Sequence, residues 1–113
     1  MKPKFEIVFL DEVWEFFDLL DKKTNEKIIY NIDKSRFIND PQLFKKLVDE
    51  IWEFRIRFNR LNYRIFAFWD KTSETETLVI ATHGIIKKSD KILKGEIEKA
   101  KAIRKLFFNQ KKK

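Results

Sequence analysis

Hydrophobic residues recur along this chain with two periods, and the alternation between those periods predicts its elements. Lys4–Leu10 is rich in strand formers and predicts a first strand. Asp11 is placed to cap the next segment, where Val13, Phe16, Phe17 and Leu20 recur at helical spacing. Thr24 opens a second helical segment with apolar positions at Ile28, Ile29 and Ile32, so the two helices form a hairpin that lies on the sheet. Asp40-Pro41 reads as an N-cap followed by proline at the first helical position, predicting a short helix through Leu43, Phe44 and Leu47.

The period then becomes two. In Trp52–Phe58 the apolar Trp52, Phe54, Ile56 and Phe58 take one face, and Glu53, Arg55 and Arg57 the other. Asn59 to Asn62 predicts a turn, Tyr63–Asp70 the returning strand, Lys71–Thr75 a polar loop and Glu76–Ile86 a further strand. Ser89 can cap a last helix whose stripe is Leu93, Ile97, Ala100, Ile103 and Phe107, with Gly95 loosening its first turn. A basic tail, residues 109–113, is expected to fray. The resulting order, β-α-α-(α)-β-β-β-α, predicts one α+β domain. Its small, antiparallel-dominated sheet is packed by an N-terminal helical hairpin and a C-terminal helix.

Composition narrows the function classes. The 113 residues support one hydrophobic core, and the absence of cysteine excludes disulfides, thiol nucleophiles and cysteine-ligated metals. No apolar run approaches the roughly 18–20 residues that cross a bilayer, and no signal peptide is evident, so a cytoplasmic location is expected. One histidine and no cysteine leave no common zinc set, and no carboxylate spacing suggests Mg²⁺ or Ca²⁺; neither metal nor cofactor is expected. The formal net charge of +7 is unevenly spread: residues 1–50 carry −2 and residues 51–113 carry +9. Such asymmetry suits a polyanionic partner, although a lysine-rich solvated surface gives the same count.

The candidate chemistry lies between Trp52 and Lys88. Arg55, Arg57 and Arg64 alternate with apolar residues on neighbouring strands, where guanidinium forks can meet phosphate oxygens. A solvated sheet face gives the same alternation, and Glu53 shares the parity and can neutralise one arginine. His83, the only histidine, has an ordinary pKa near 6.5 and can exchange protons near neutrality. Lys87 and Lys88 close by would keep it neutral.

Three elements in order, Glu-Phe-Arg (Glu53–Arg55), Tyr-Arg-Ile-Phe (Tyr63–Phe66) and His-Gly-Ile-Ile-Lys-Lys-Ser (His83–Ser89), stand before an amphipathic helix. This arrangement resembles the phage-derived HigB-like branch of the RelE/ParE toxin superfamily, over nearly the whole chain. The resemblance implies a RelE-like fold and the toxin of a type II toxin–antitoxin pair, neutralised by a helix-turn-helix antitoxin and forming oligomers only through it. It implies a metal-independent endoribonuclease that cleaves messenger RNA on the ribosome. By that resemblance Arg55 and Arg64 stabilise transition-state charge, His83 transfers a proton, and Lys87 binds phosphate or assists as acid or base. Lys88, Arg57, Arg60 and Lys91 would hold the RNA. The chain departs from the pattern in its Asn-Arg-Leu-Asn turn, in lacking a proline before the last helix, and in lacking a terminal tyrosine. The superfamily also includes gyrase inhibitors, and a noncatalytic RNA-binding module is a third reading.

Overall fold

The computed structural model describes residues 1–88 and 93–112. In chain order the elements are β1 (Glu6–Phe9), α1 (Asp11–Asp18), α2 (Lys22–Ser35), β2 (Phe44–Lys46), β3 (Trp52–Phe58), β4 (Leu61–Asp70), β5 (Leu78–Lys87) and α3 (Lys94–Lys111). The five strands form one sheet in the order β1-β5-β4-β3-β2. β1 pairs with β5 in parallel and every other pair is antiparallel. The α+β class holds, and the architecture is compatible with a RelE-like fold.

Both faces of the sheet are covered, which is why β4 is buried continuously from Tyr63 to Phe68. On one face the α1–α2 hairpin seals a core of Val13, Phe17, Ile28 and Ile32 against Phe54, Ile56, Tyr63 and Ile65. On the other face α3 packs Ile97 and Ala100 over Phe66, Phe68 and Ile80. Asp21, rather than a residue at the helix start itself, caps α2 by accepting from the Thr24 amide at 2.8 Å. Asp11 is the first residue of α1, whose N-cap is Leu10 without a side-chain bond. The Ser89 cap falls outside the described residues.

Two expectations need correction. The segment after Asp40 is one turn followed by the edge strand β2, not a helix. Asp40 behaves as a cap, its carboxylate accepting from the Gln42 amide at 2.8 Å and its carbonyl from Leu43 and Phe44 at 2.9 and 3.0 Å. The chain then leaves the helical path because Phe44 stacks on Phe54 with ring centroids 4.2 Å apart, and the backbone pairs with β3. Tertiary packing overrides a local start signal. The second correction is the tail: α3 continues to Lys111, whose Nζ meets the buried Asp70 carboxylate at 2.6 Å.

The turn between β3 and β4 is shorter than expected. Phe58 pairs with Leu61, leaving Asn59 and Arg60 as a two-residue turn with φ of 50° and 67°. Both residues are left-handed, as a type I′ hairpin turn requires. Asparagine tolerates this conformation. Arginine pays about 1 kcal/mol for it, a position glycine would fill without cost.

Candidate functional site

Register across β3, β4 and β5 arranges the polar face in rows. Arg57, Asn62 and Lys87 make one row, Arg55, Arg64 and Ile85 the next, and Glu53, Phe66 and His83 the third. A cavity of about 640 Å³ opens over the first two rows, lined by Arg55, Arg60, Asn62, Arg64, Lys87 and Lys88, with Leu61 at its edge. α3 covers the sheet farther along, over Phe66 and Phe68.

Arg64 lines this cavity and is only 5% exposed. It stands directly across the ladder from Arg55, a like-charge pair that needs compensation. Glu53 supplies it, one carboxylate oxygen lying 3.5 Å from Arg64 Nε and the other 3.8 Å from Arg55 Nε. Arg64 Nη1 donates to the Tyr63 carbonyl at 3.1 Å, while its Nε is buried without a hydrogen bond. Burial lowers the Arg64 pKa most, Glu53 opposes that, and Arg55 adds to it. The group stays a cation, because guanidinium does not lose its proton in proteins. A buried cation facing an open cavity beside a second cation is poised for an anion.

The other residues expected in the site divide. Arg60 reaches the cavity from the hairpin turn, and Lys87 and Lys88 reach it from the end of β5. Arg57 is not among the lining residues; its Nη1 donates to Asn62 Oδ1 at 3.2 Å. Lys91 lies outside the described residues.

His83 shares the face yet not the cavity. It is 3% exposed, one row beyond Arg64, with its ring stacked on Phe66 at a centroid distance of 5.1 Å. Nε2 lies 2.9 Å from Glu96 Oε1 in the first turn of α3, and Nδ1 lies 2.9 Å from Thr82 Oγ1. Burial, the largest influence, pushes its pKa below the ordinary value, and Lys99 adds to this; Glu96 pulls the other way. The ring is therefore neutral at pH 7. Facing a carboxylate, neutral imidazole places its proton on Nε2 and donates to Glu96, so Nδ1 accepts from the Thr82 hydroxyl. Thr82 can also turn its proton to the Phe66 carbonyl, 3.2 Å away, and accept from Nδ1 instead. That second tautomer leaves a bare Nε2 facing the Glu96 carboxylate, so with Glu96 in place the Nε2–H form is favoured.

Glu96 and Thr82 were not singled out from the sequence. Thr82 sits next to the histidine, but burial gives it its role. Glu96 is one acidic residue in a helix turn, and no spacing links it to His83. Among the described residues, no three His, Cys, Asp or Glu side chains gather where a metal ion could be held. No described helix is long and apolar enough to cross a membrane.

The family described as phage-derived protein Gp49-like matches residues 15–105. No curated protein matches the chain. The family match takes in β3, β4, β5 and every described residue that lines the basic cavity, and the chain belongs to the phage-derived Gp49-like family.

Proposed function

We propose that this protein is the toxin of a type II toxin–antitoxin pair, close to the HigB-like branch. In this reading it is a metal-independent endoribonuclease that cuts messenger RNA on the ribosome and is held inactive by a helix-turn-helix antitoxin. Membership of a family associated with RelE-type toxins supports the reading. The observation that carries it is the buried Arg64, paired with Arg55 over one carboxylate and opening into a cavity with Lys87 and Lys88.

In the proposed reaction the ribose 2′-oxygen attacks the adjacent phosphorus and the bond to the 5′-oxygen breaks, leaving a cyclic phosphate and a free 5′-hydroxyl. Negative charge grows on the nonbridging oxygens, where Arg55 and Arg64 stabilise it. One such donor is typically worth about 3–4 kcal/mol in a transition state. Lys87 gives a proton to the departing 5′-oxygen. The 2′-hydroxyl proton goes to His83 in a state where Glu96 has released Nε2. The imidazole proton then sits on Nδ1, donating to Thr82, whose hydroxyl donates to Phe66.

Induction of the wild-type protein in a bacterial host should arrest growth, and mapping of mRNA 5′ ends should reveal new hydroxyl-terminated cuts. Arg64→Ala should lose at least a hundredfold in cleavage and relieve the arrest. His83→Gln should do the same if the imidazole takes the proton. Arrest by Arg64→Ala at wild-type levels would sink the site assignment. Arrest with intact mRNA and DNA damage would favour gyrase inhibition instead.

A further inference from the structure

The cavity holds more positive charge than one phosphodiester can use. Arg55, Arg60, Arg64, Lys87 and Lys88 line it, and the nearby Glu53 carboxylate is committed to Arg55 and Arg64. A single phosphodiester brings one negative charge. Arg60 is also the member that the fold accommodates least easily. It occupies the second position of the β3–β4 turn at φ 67°, where glycine is the favoured residue and a long side chain is strained. Asp49 and Glu50 are left-handed as well, at φ 53° and 68°, so the conformation alone does not single out Arg60; its place in the cavity lining does. Here that side chain reaches the rim of the cavity, on the turn beyond the Arg57–Asn62–Lys87 row, whereas Arg64 sits one row deeper.

We infer that Arg60 binds a second phosphate, flanking the one held by Arg55 and Arg64. The proposal rests on the nuclease reading and deepens it: the ligand is a single-stranded chain with at least two successive phosphates in the cavity. Arg60 is then a specificity residue for chain over mononucleotide, and the turn keeps its strained conformation to present it.

The test uses the full chain and ligands that cannot be cleaved: a 2′-O-methyl RNA octamer and a 2′-deoxy dinucleoside monophosphate, which has one phosphate. Arg60→Asn keeps a residue that tolerates the left-handed turn and removes the charge. Arg60→Gly removes the strain as well, and Arg60→Lys keeps a cation. Asn and Gly should weaken octamer binding about tenfold at low salt, and make the slope of log K against log salt shallower by about 0.7. Dinucleotide binding should change less than twofold. Arg60→Lys should stay within about threefold of wild type for both. Without ligand, melting temperature should hold, or rise by up to about 4 °C for Arg60→Gly, because relieved strain is partly offset by the freedom glycine gives the unfolded chain. Equal octamer affinity and salt slope in wild type and Arg60→Asn would overturn the inference and leave the nuclease reading standing. An equal loss for both ligands would overturn the flanking role. If the wild type binds neither ligand while induction still cuts mRNA, the inference alone is lost. If it also cuts nothing, the nuclease reading falls too.

Discussion

Gly84→Ala should destabilise the protein by about 2 kcal/mol while leaving the basic cavity intact. Gly84 follows His83 in β5 and faces the opposite side of the sheet, pairing with Ile65 under α1. A Cβ there would stand 2.5 Å from Phe16 Cδ2 and 2.7 Å from both Phe16 Cε2 and Ile65 Cδ1, closer than real carbon contacts come. Ile65 is fully buried and cannot retreat, so Phe16, which is partly exposed, has to move. Overpacking a formed core costs roughly 1–3 kcal/mol. Displacing a phenyl ring forfeits part of the roughly 1.5–3 kcal/mol that full burial provides. Two kilocalories correspond to a melting temperature lower by roughly 6–12 °C in a domain of this size. Thermal and urea melts would measure the loss, and binding of uncleavable RNA below the transition should stay within twofold. A variant that melts within about 1 °C of wild type would refute the packing argument. A variant that folds normally but no longer binds RNA would show that the glycine serves the site instead.

Two more outcomes follow from buried titratable groups. Asp70 is 1% exposed; burial pushes its pKa up most, but hydrogen bonds from Lys111 at 2.6 Å and from Thr72 at 2.7 and 3.0 Å hold it below 3.8. Its stabilisation is present above that value and lost as pH falls through the depressed one. Lys111→Met should cost about 1–3 kcal/mol at neutral pH and raise the Asp70 pKa, read by NMR titration; an unmoved titration would refute the latch. His83 titrates below 6.5 in the folded protein, so the unfolded chain takes up the proton first. Stability should then decline as pH falls below 6.5 toward the depressed pKa, by at most about 1.4 kcal/mol per unit. Urea midpoints between pH 5 and 7.5 would show it, and His83→Gln should flatten that slope even with Glu96, Glu12 and Lys99 still facing the site; an unchanged slope would place its origin elsewhere.

The first strand of the site was legible because β3 lies nearer the sheet edge and still writes itself as alternation. Trp52 to Phe58 gave the parity of Arg55. Tyr63 to Asp70 was readable only as the returning strand, because a strand covered on both faces loses its alternation, and Arg64's face follows from the hairpin register. The segment from Pro41 to Lys46 was not legible. Its Asp-Pro start is a genuine turn signal, and what redirects it is Phe44 stacking on Phe54, a contact made only once the sheet exists. β1 was readable as a strand, though not its parallel place beside β5, which depends on how the helical hairpin crosses the sheet. His83 was readable as the one group titrating near neutrality. Its burial was not, since that comes from Glu96 and Phe66, which the fold brings to it from α3 and β4.

The opposed Arg55 and Arg64 also set how stability and ligand are coupled. Two guanidiniums held in register across a ladder repel, and a single carboxylate between them leaves the balance positive. Any anion bound there stabilises the native state in proportion to the logarithm of its concentration over Kd, and relief of that repulsion is part of its affinity. Occupancy and folding thus become one equilibrium, in which a bound anion acts as a folding ligand. The unliganded protein is not the most stable form of its own fold.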